Sequence, residues 1–187
     1  MFTGIRSLLL ASLPLVVLGS PKHTMPSGSF FQLYAYGDAF GGLPLFYAGG
    51  LAYVGDPTLS NSSEAAVVSF STNSSNQFTG NPNTTNVSTS PTWSNVTLFV
   101  PATATDDGRI GFLPNNYDQG NSTVTTSGFA FYGSTAMLIG SDGSISTAFC
   151  GMEVEEGVYQ LFWNETDGTK PLTLRSVAPS NPSSKRH

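Results

Sequence analysis

Leu43-Pro44-Leu45-Phe46-Tyr47-Ala48-Gly49-Gly50-Leu51-Ala52-Tyr53-Val54 decides the fold class. Two apolar, aromatic and β-branched runs flank a Gly-Gly pair, and both turn positions of a tight hairpin demand positive φ, which glycine adopts without steric cost. Pro44 has no amide hydrogen, so its strand either begins there or lies on an edge. Working outward, the same grammar repeats. Phe30-Phe31-Gln32-Leu33-Tyr34-Ala35-Tyr36 precedes the Gly37-Asp38 turn, and Ala65-Ala66-Val67-Val68-Ser69-Phe70 and Val96-Thr97-Leu98-Phe99-Val100 follow. After the Thr105 to Arg109 turn comes Ile110-Gly111-Phe112-Leu113.

The last third is the most regular. Phe129-Ala130-Phe131-Tyr132 and Ala136-Met137-Leu138-Ile139 lead to Asp142-Gly143, a strong hairpin turn, with Ile145 to Cys150 expected as one returning strand. Val158 to Trp163 and Leu172 to Val177 complete the set. No stretch carries apolar residues at helical spacing over several turns, and no repeat holds a fixed period. The reading is all-β: a single-domain antiparallel β-sandwich or barrel, jelly-roll-like, with about nine to eleven strands.

The N-terminus carries a secretory signature over residues 1–19. Arg6 supplies the positive charge, Leu8 to Leu18 the short apolar stretch, and Val17 and Gly19 the small residues of a cleavage site. Residues 20–28 read as a flexible segment and 29–178 as the β-domain. Residues 71–95 read as a long polar loop within it, and 179–187 as a disordered tail. That tail lacks the apolar end of a lipid-anchor signal, so no membrane anchor is expected. About 170 residues then remain, enough for one core.

Seven Asn-x-Ser/Thr sequons, at Asn61, Asn73, Asn83, Asn86, Asn95, Asn121 and Asn164, follow the signature. Composition this rich in Asn, Ser and Thr gives roughly three by chance. The excess, behind a secretory signal, predicts a secreted, extracellular N-glycoprotein. Five of the seven fall between Asn61 and Asn95. Only 10% of residues are charged and the net charge is −5, with no basic stripe. Such a chain repels phosphate backbones, so nucleic acid is not an expected partner.

Catalytic signals are sparse. The two histidines, His23 and His187, lie in the terminal segments, whereas Ser-His or Cys-His chemistry needs an imidazole held in a cleft. A histidine-based zinc or copper site would need two or three histidines within coordination reach, so no metal or cofactor is expected. Glu153-Val154-Glu155 is the remaining acid pair. On a regular strand the two carboxylates share one face at about 6.5–7 Å, a spacing suited to glycoside hydrolysis, although a solvated strand end explains them as well. Asp106-Asp107-Gly108 and Asn164 to Gly168 offer oxygens to calcium but read first as turns. Among aromatics near loops or strand ends, Trp93 and Tyr117 sit in polar surroundings and are the candidates for stacking on a sugar. Cys150, the only cysteine, reads as a buried apolar filler, with an intermolecular disulfide dimer as the alternative.

The secretory signature, Phe31-Gln32-Leu33-Tyr34-Ala35, the strand Leu51-Ala52-Tyr53-Val54-Gly55, and Tyr159-Gln160-Leu161-Phe162-Trp163 before Leu172-Thr173-Leu174-Arg175 carry a resemblance. The chain resembles small secreted cell-surface proteins of filamentous fungi. The resemblance implies a β-sandwich or barrel, secretion, and a role at the cell wall or toward a host. The leading expectation is a non-enzymatic secreted glycoprotein acting at a cell wall or extracellular matrix, with a host-directed effector as one version of it. Cell-wall polysaccharide or a host surface would be the partner. A lectin-like carbohydrate-binding module is the alternative, with a two-carboxylate glycoside hydrolase behind it. Paired cysteines are frequent in such wall proteins, and the lone Cys150 departs from that pattern.

Overall fold

The computed structural model describes residues 29–85, 90–102, 107–114, 117 and 123–180. Fifteen strands run through them. They begin with β1 Tyr34–Gly37, β2 Phe40–Ala48, β3 Leu51–Gly55, β4 Ala66–Thr72 and β5 Phe78–Pro82. Next come β6 Val96–Pro101, β7 Gly111–Leu113, β8 Val124–Thr125, β9 Phe129–Tyr132 and β10 Thr135–Ile139. The last are β11 Ile145–Ser146, β12 Phe149–Glu155, β13 Val158–Trp163, β14 Lys170–Pro171 and β15 Thr173–Arg175. One 3₁₀ turn, Pro57–Leu59, is the only helical element among the described residues. Every pairing among these strands is antiparallel, as expected for short strands joined by tight turns.

Six strands close on themselves in the order β2-β4-β5-β6-β7-β3, and β3 returns to β2. The closure is the Gly49-Gly50 hairpin. Both glycines have positive φ, 58° and 87°, and the register Ala48↔Leu51 leaves a two-residue loop. The nine-residue β2 holds the assembly together because it changes neighbours along its length. Phe40 to Pro44 pair with β1, whereas Phe46 and Tyr47 pair with β4. Pro44 therefore lies inside a strand rather than at its start. The amide of Leu45 donates to Leu33 at 2.8 Å, so position 44 faces the opposite edge, where pairing with β3 begins only at Leu45.

Two wings extend from the barrel. Beyond β1 lie β15 and β10, with β9 and β11 both paired to β10. Beyond β3 lie β13, β12 and β14. The main core joins residues from Phe31 to Leu174, with Phe70, Phe78, Phe129, Leu45, Leu161 and Leu174 almost wholly buried. Six ring contacts among Phe31, Phe70, Phe78, Phe129 and Phe131 have centroids 5.0–6.1 Å apart, in stacked, tilted and edge-on geometries. A smaller cluster of Phe46, Ala48 and Val158 lies apart from it, packed by Tyr53, Ala65 and Val67. The unbroken apolar run Leu45-Phe46-Tyr47-Ala48 reflects this: consecutive residues point to opposite faces and both are covered.

Three details depart from the sequence reading. The strand expected over Ile145 to Cys150 is two strands: β11 pairs with β10 in one wing and β12 with β13 in the other. Thr147 and Ala148 carry the chain across between them. Such switches, together with two-residue strands in turn-rich sequence, raise the strand number above the expected range. The polar segment 71–95, expected as a loop, contains β5, which fills the barrel wall between β4 and β6. The one large apolar residue of β5, Phe78, is 1% exposed, and Gly80 lies against Val68 so closely that a Cβ there would meet Val68 Cγ1 at 2.4 Å. At the C-terminal end the chain stays against the sheet as far as Pro179, which covers Gly42.

Candidate functional site

The two wings meet at an open cleft of about 460 Å³. The chain crosses between them twice here, from β11 to β12 through Thr147 and Ala148, and from β14 to β15 through Leu172. Tyr36 and Asp38 contribute from the end of β1, and the turn Asn164 to Thr166 from the end of β13. Phe149 and Leu172 are buried beneath it, and Thr147 and Thr173 bring hydroxyls to the wall.

Main-chain bonds fix this geometry. Leu172 donates its amide to Phe149 at 3.0 Å, and Asn164 donates to Ala148 at 2.8 Å. Asn164 adopts φ 55°, a left-handed turn that asparagine tolerates better than most residues. Glu165 caps the same turn with one oxygen, Oε1, which accepts from Thr166 N at 2.9 Å and Asp167 N at 3.0 Å. Those two amides, that of Asp167 foremost, lower the Glu165 carboxyl below its ordinary value. Thr169 Oγ1 closes the turn on the Glu165 carbonyl at 2.7 Å. Across the cleft the Tyr36 hydroxyl donates to the Val177 carbonyl at 2.8 Å, and the Arg175 guanidinium lies 5.3 Å from its ring centroid. The Tyr36 ring is thus held from two sides.

The acid pair Glu153 and Glu155 does not share a face, which corrects the sequence expectation. A bulge interrupts β12: Glu153 stands opposite Tyr159 and Glu155 opposite Val158, with Val154 left over. Directly opposed residues share a face, and the adjacent Tyr159 and Val158 point to opposite faces. Tyr159 belongs to the main core and Val158 to the smaller cluster. Their surroundings differ accordingly. Burial, then the charge and hydrogen bond of Glu153, push the Tyr159 phenol up. Glu155 accepts from Asn61 Nδ2 at 2.6 Å and lies near Tyr53, whose phenol burial raises while Arg109 opposes. Two carboxylates on opposite sides of a sheet cannot flank one glycosidic bond.

Of the sugar-stacking candidates, Trp93 is 8% exposed and stacked on Tyr47 at 4.4 Å, with its indole N–H donating to the Glu64 carbonyl. Its ring belongs to the core. Tyr117 is half-buried and its amide donates to Pro114. Neither lines the cleft. The sequon asparagines Asn61, Asn73, Asn95 and Asn164 are exposed and Asn83 is half-buried, all outside strands. Asn86 and Asn121 lie outside the described residues, as do His23, His187, Asp106 and the secretory segment. Cys150 is 4% exposed and its thiol donates to the Phe162 carbonyl at 3.4 Å.

The turn residues considered for calcium have nearer partners. Asp107 is bound by both Arg109 Nε, at 2.6 Å, and Arg109 Nη2, at 2.5 Å. Among the described residues no three His, Cys, Asp or Glu side chains are grouped to hold a metal ion, and no helix is long and apolar enough to cross a membrane.

The cleft residues escape sequence reading because they come from separate stretches of chain. Tyr36-Gly37-Asp38 and Asn164 to Gly168 look like turn chemistry alone. Nothing local says that two turns and two crossovers converge. Comparison with protein-family models, curated proteins and solved structures finds no significant match in any of the three.

Proposed function

We propose that this chain is a secreted, N-glycosylated, non-enzymatic protein that acts by binding at a cell wall or extracellular surface. One observation carries the reading. All five described sequons have their asparagines outside strands, on turns and loops, and four of these asparagines are exposed. N-glycosylation requires the asparagine to be accessible in the secretory pathway, and a glycan at a turn disturbs neither a sheet ladder nor a core. Asn83 has the further feature that its Oδ1 accepts from both the amide and the hydroxyl of Thr85, the third residue of its own sequon, at 3.1 Å and 2.6 Å. That places the sequon in a tight Asx turn.

The test is expression of the full chain in a eukaryotic secretory host. The protein is expected in the medium, several glycans heavier than its polypeptide, and to collapse to polypeptide mass with peptide-N-glycosidase. It is expected to co-sediment with an insoluble wall polysaccharide such as chitin or β-glucan. Retention in the cells without modification would overturn the secretory part. Failure to sediment with any polysaccharide would overturn the wall-binding part.

A further inference from the structure

The geometry points to the cleft between the wings as a subsite for neutral carbohydrate. Its volume of about 460 Å³ falls within the range of small-molecule sites and suits roughly one or two sugar rings. Its chemistry is selective. Asp38 and Glu165 are the charged side chains on its wall, and among the described residues no Lys, Arg or His lines it. That acidic lining disfavours phosphate- or sulfate-bearing ligands, with the Arg175 guanidinium on the Tyr36 ring as the nearest opposing charge. Glu165 keeps Oε2 for a ligand while Oε1 holds the turn. Thr147, Thr166 and Thr173 add hydroxyls that both donate and accept, matching a ligand rich in hydroxyl groups.

Apolar surface completes the match. The half-buried Tyr36 ring forms an apolar wall above the buried Phe149 and Leu172, and sugars carry C–H faces beside their hydroxyls. The Tyr36 ring and the Glu165 turn are held by their own hydrogen bonds, so little ordering remains to be done on binding.

The rim residue Asn164 heads the sequon Asn164-Glu165-Thr166. Carbohydrate can therefore reach the cleft from two sources: a glycan attached at Asn164, or an external polysaccharide. The first source rests on the secreted-glycoprotein reading. The cleft chemistry does not.

The deciding experiment starts with the full-length chain made in bacteria, which attach no N-glycan. It is titrated with oligomers of N-acetylglucosamine, glucose and mannose by calorimetry and by NMR. Saturable binding is expected, with amide shifts at Thr147, Thr166 and Thr173, and affinity that does not change with salt. Asp38→Asn combined with Thr173→Val is expected to weaken it at least about tenfold, with an unchanged unfolding temperature. No saturable binding, shifts elsewhere, binding indifferent to the double substitution, or binding that salt abolishes would overturn the proposal.

The source is read from protein secreted by a eukaryotic host, wild type against Asn164→Gln. Binding only in the variant means that the Asn164 glycan fills the cleft in cis. Equal binding in both assigns it to external carbohydrate. Both results support the subsite, and loss of binding in both overturns it. If secretion or glycosylation fails, the bacterial titration still decides the cleft.

Discussion

The indole of Trp93 lies on the phenol ring of Tyr47, with centroids 4.4 Å apart and planes 24° from parallel. Tyr47 in turn meets Phe112 at 5.5 Å, so residues from β2, β7 and the polar segment before β6 form one aromatic contact. The Trp93 N–H is satisfied by the Glu64 carbonyl at 2.9 Å, and the Glu64 carboxylate accepts from the Thr92 amide at 2.7 Å. A segment that looks like solvent-facing loop is thereby pinned to the barrel.

Trp93→Ala is expected to cost about 3–5 kcal/mol, the range for deleting a large buried aromatic. Trp93→Phe keeps part of the stacking and loses the hydrogen bond, so its loss should be smaller. Urea unfolding of both variants checks this. A loss below about 1 kcal/mol for the alanine variant would place the ring at the surface.

Gly80→Ala should destabilise, although alanine is ordinarily preferred to glycine within a strand. The gain of about 0.5–1 kcal/mol from the stiffer backbone is outweighed by a Cβ 2.4 Å from Val68 Cγ1, since overpacking costs about 1–3 kcal/mol. Gly80→Ala combined with Val68→Ala should recover part of the loss, measured as the coupling in a double-mutant cycle. Simple additivity would mean that the two residues do not press on each other.

The Arg109 guanidinium, chiefly through its hydrogen bonds, holds the Asp107 carboxyl below the usual carboxylate range. A carboxyl depressed in the folded state stabilises above its unfolded value, near 4, and that contribution disappears as pH falls through the folded value. Side-chain exposures of 44% for Arg109 and 56% for Asp107 limit the effect to under about 1 kcal/mol. Asp107→Asn should therefore be less stable than wild type near neutral pH, by a margin that narrows at acid pH, below the unfolded value. Denaturation at both pH values, repeated in high salt, provides the check. A gap that persists undiminished at acid pH would assign the loss to the turn rather than to the charge.

Cys150 should resist modification in the native protein. Its thiol is 4% exposed and donates to Phe162, so labelling by an aromatic disulfide reagent should be at least about a hundredfold slower than in denaturant. The protein should run as a monomer on a non-reducing gel. A disulfide dimer from native material would require the β12–β13 pairing to open.

Elements governed by near neighbours are legible in the residues themselves. Gly49-Gly50 specifies the hairpin that closes the barrel because positive φ is a local property. Gly143, at φ 80°, marks the turn after β10 for the same reason. The apolar run Val158 to Trp163 has the same bounds as β13. Alternating and unbroken apolar runs reveal the all-β class, since burial of a strand face leaves its period in the order of residues.

What depends on partners far along the chain is not legible in this way. Phe78 and Gly80 become a barrel strand only because β4 and β6 flank them. The crossing at Thr147 and Ala148 divides one apparent strand between two wings. The bulge in β12 sends Glu153 and Glu155 to opposite faces although their spacing alone puts them on one. Register is set by the strand opposite, and a one-residue slip reverses every side chain beyond it. The cleft is the extreme case, formed where Tyr36, Thr147, Asn164 and Thr173 meet. The sequence by itself determined most of the strands and where the chain turns; the tertiary structure alone decided which side chains face one another, because pairing is a contact between distant segments and no local preference encodes it.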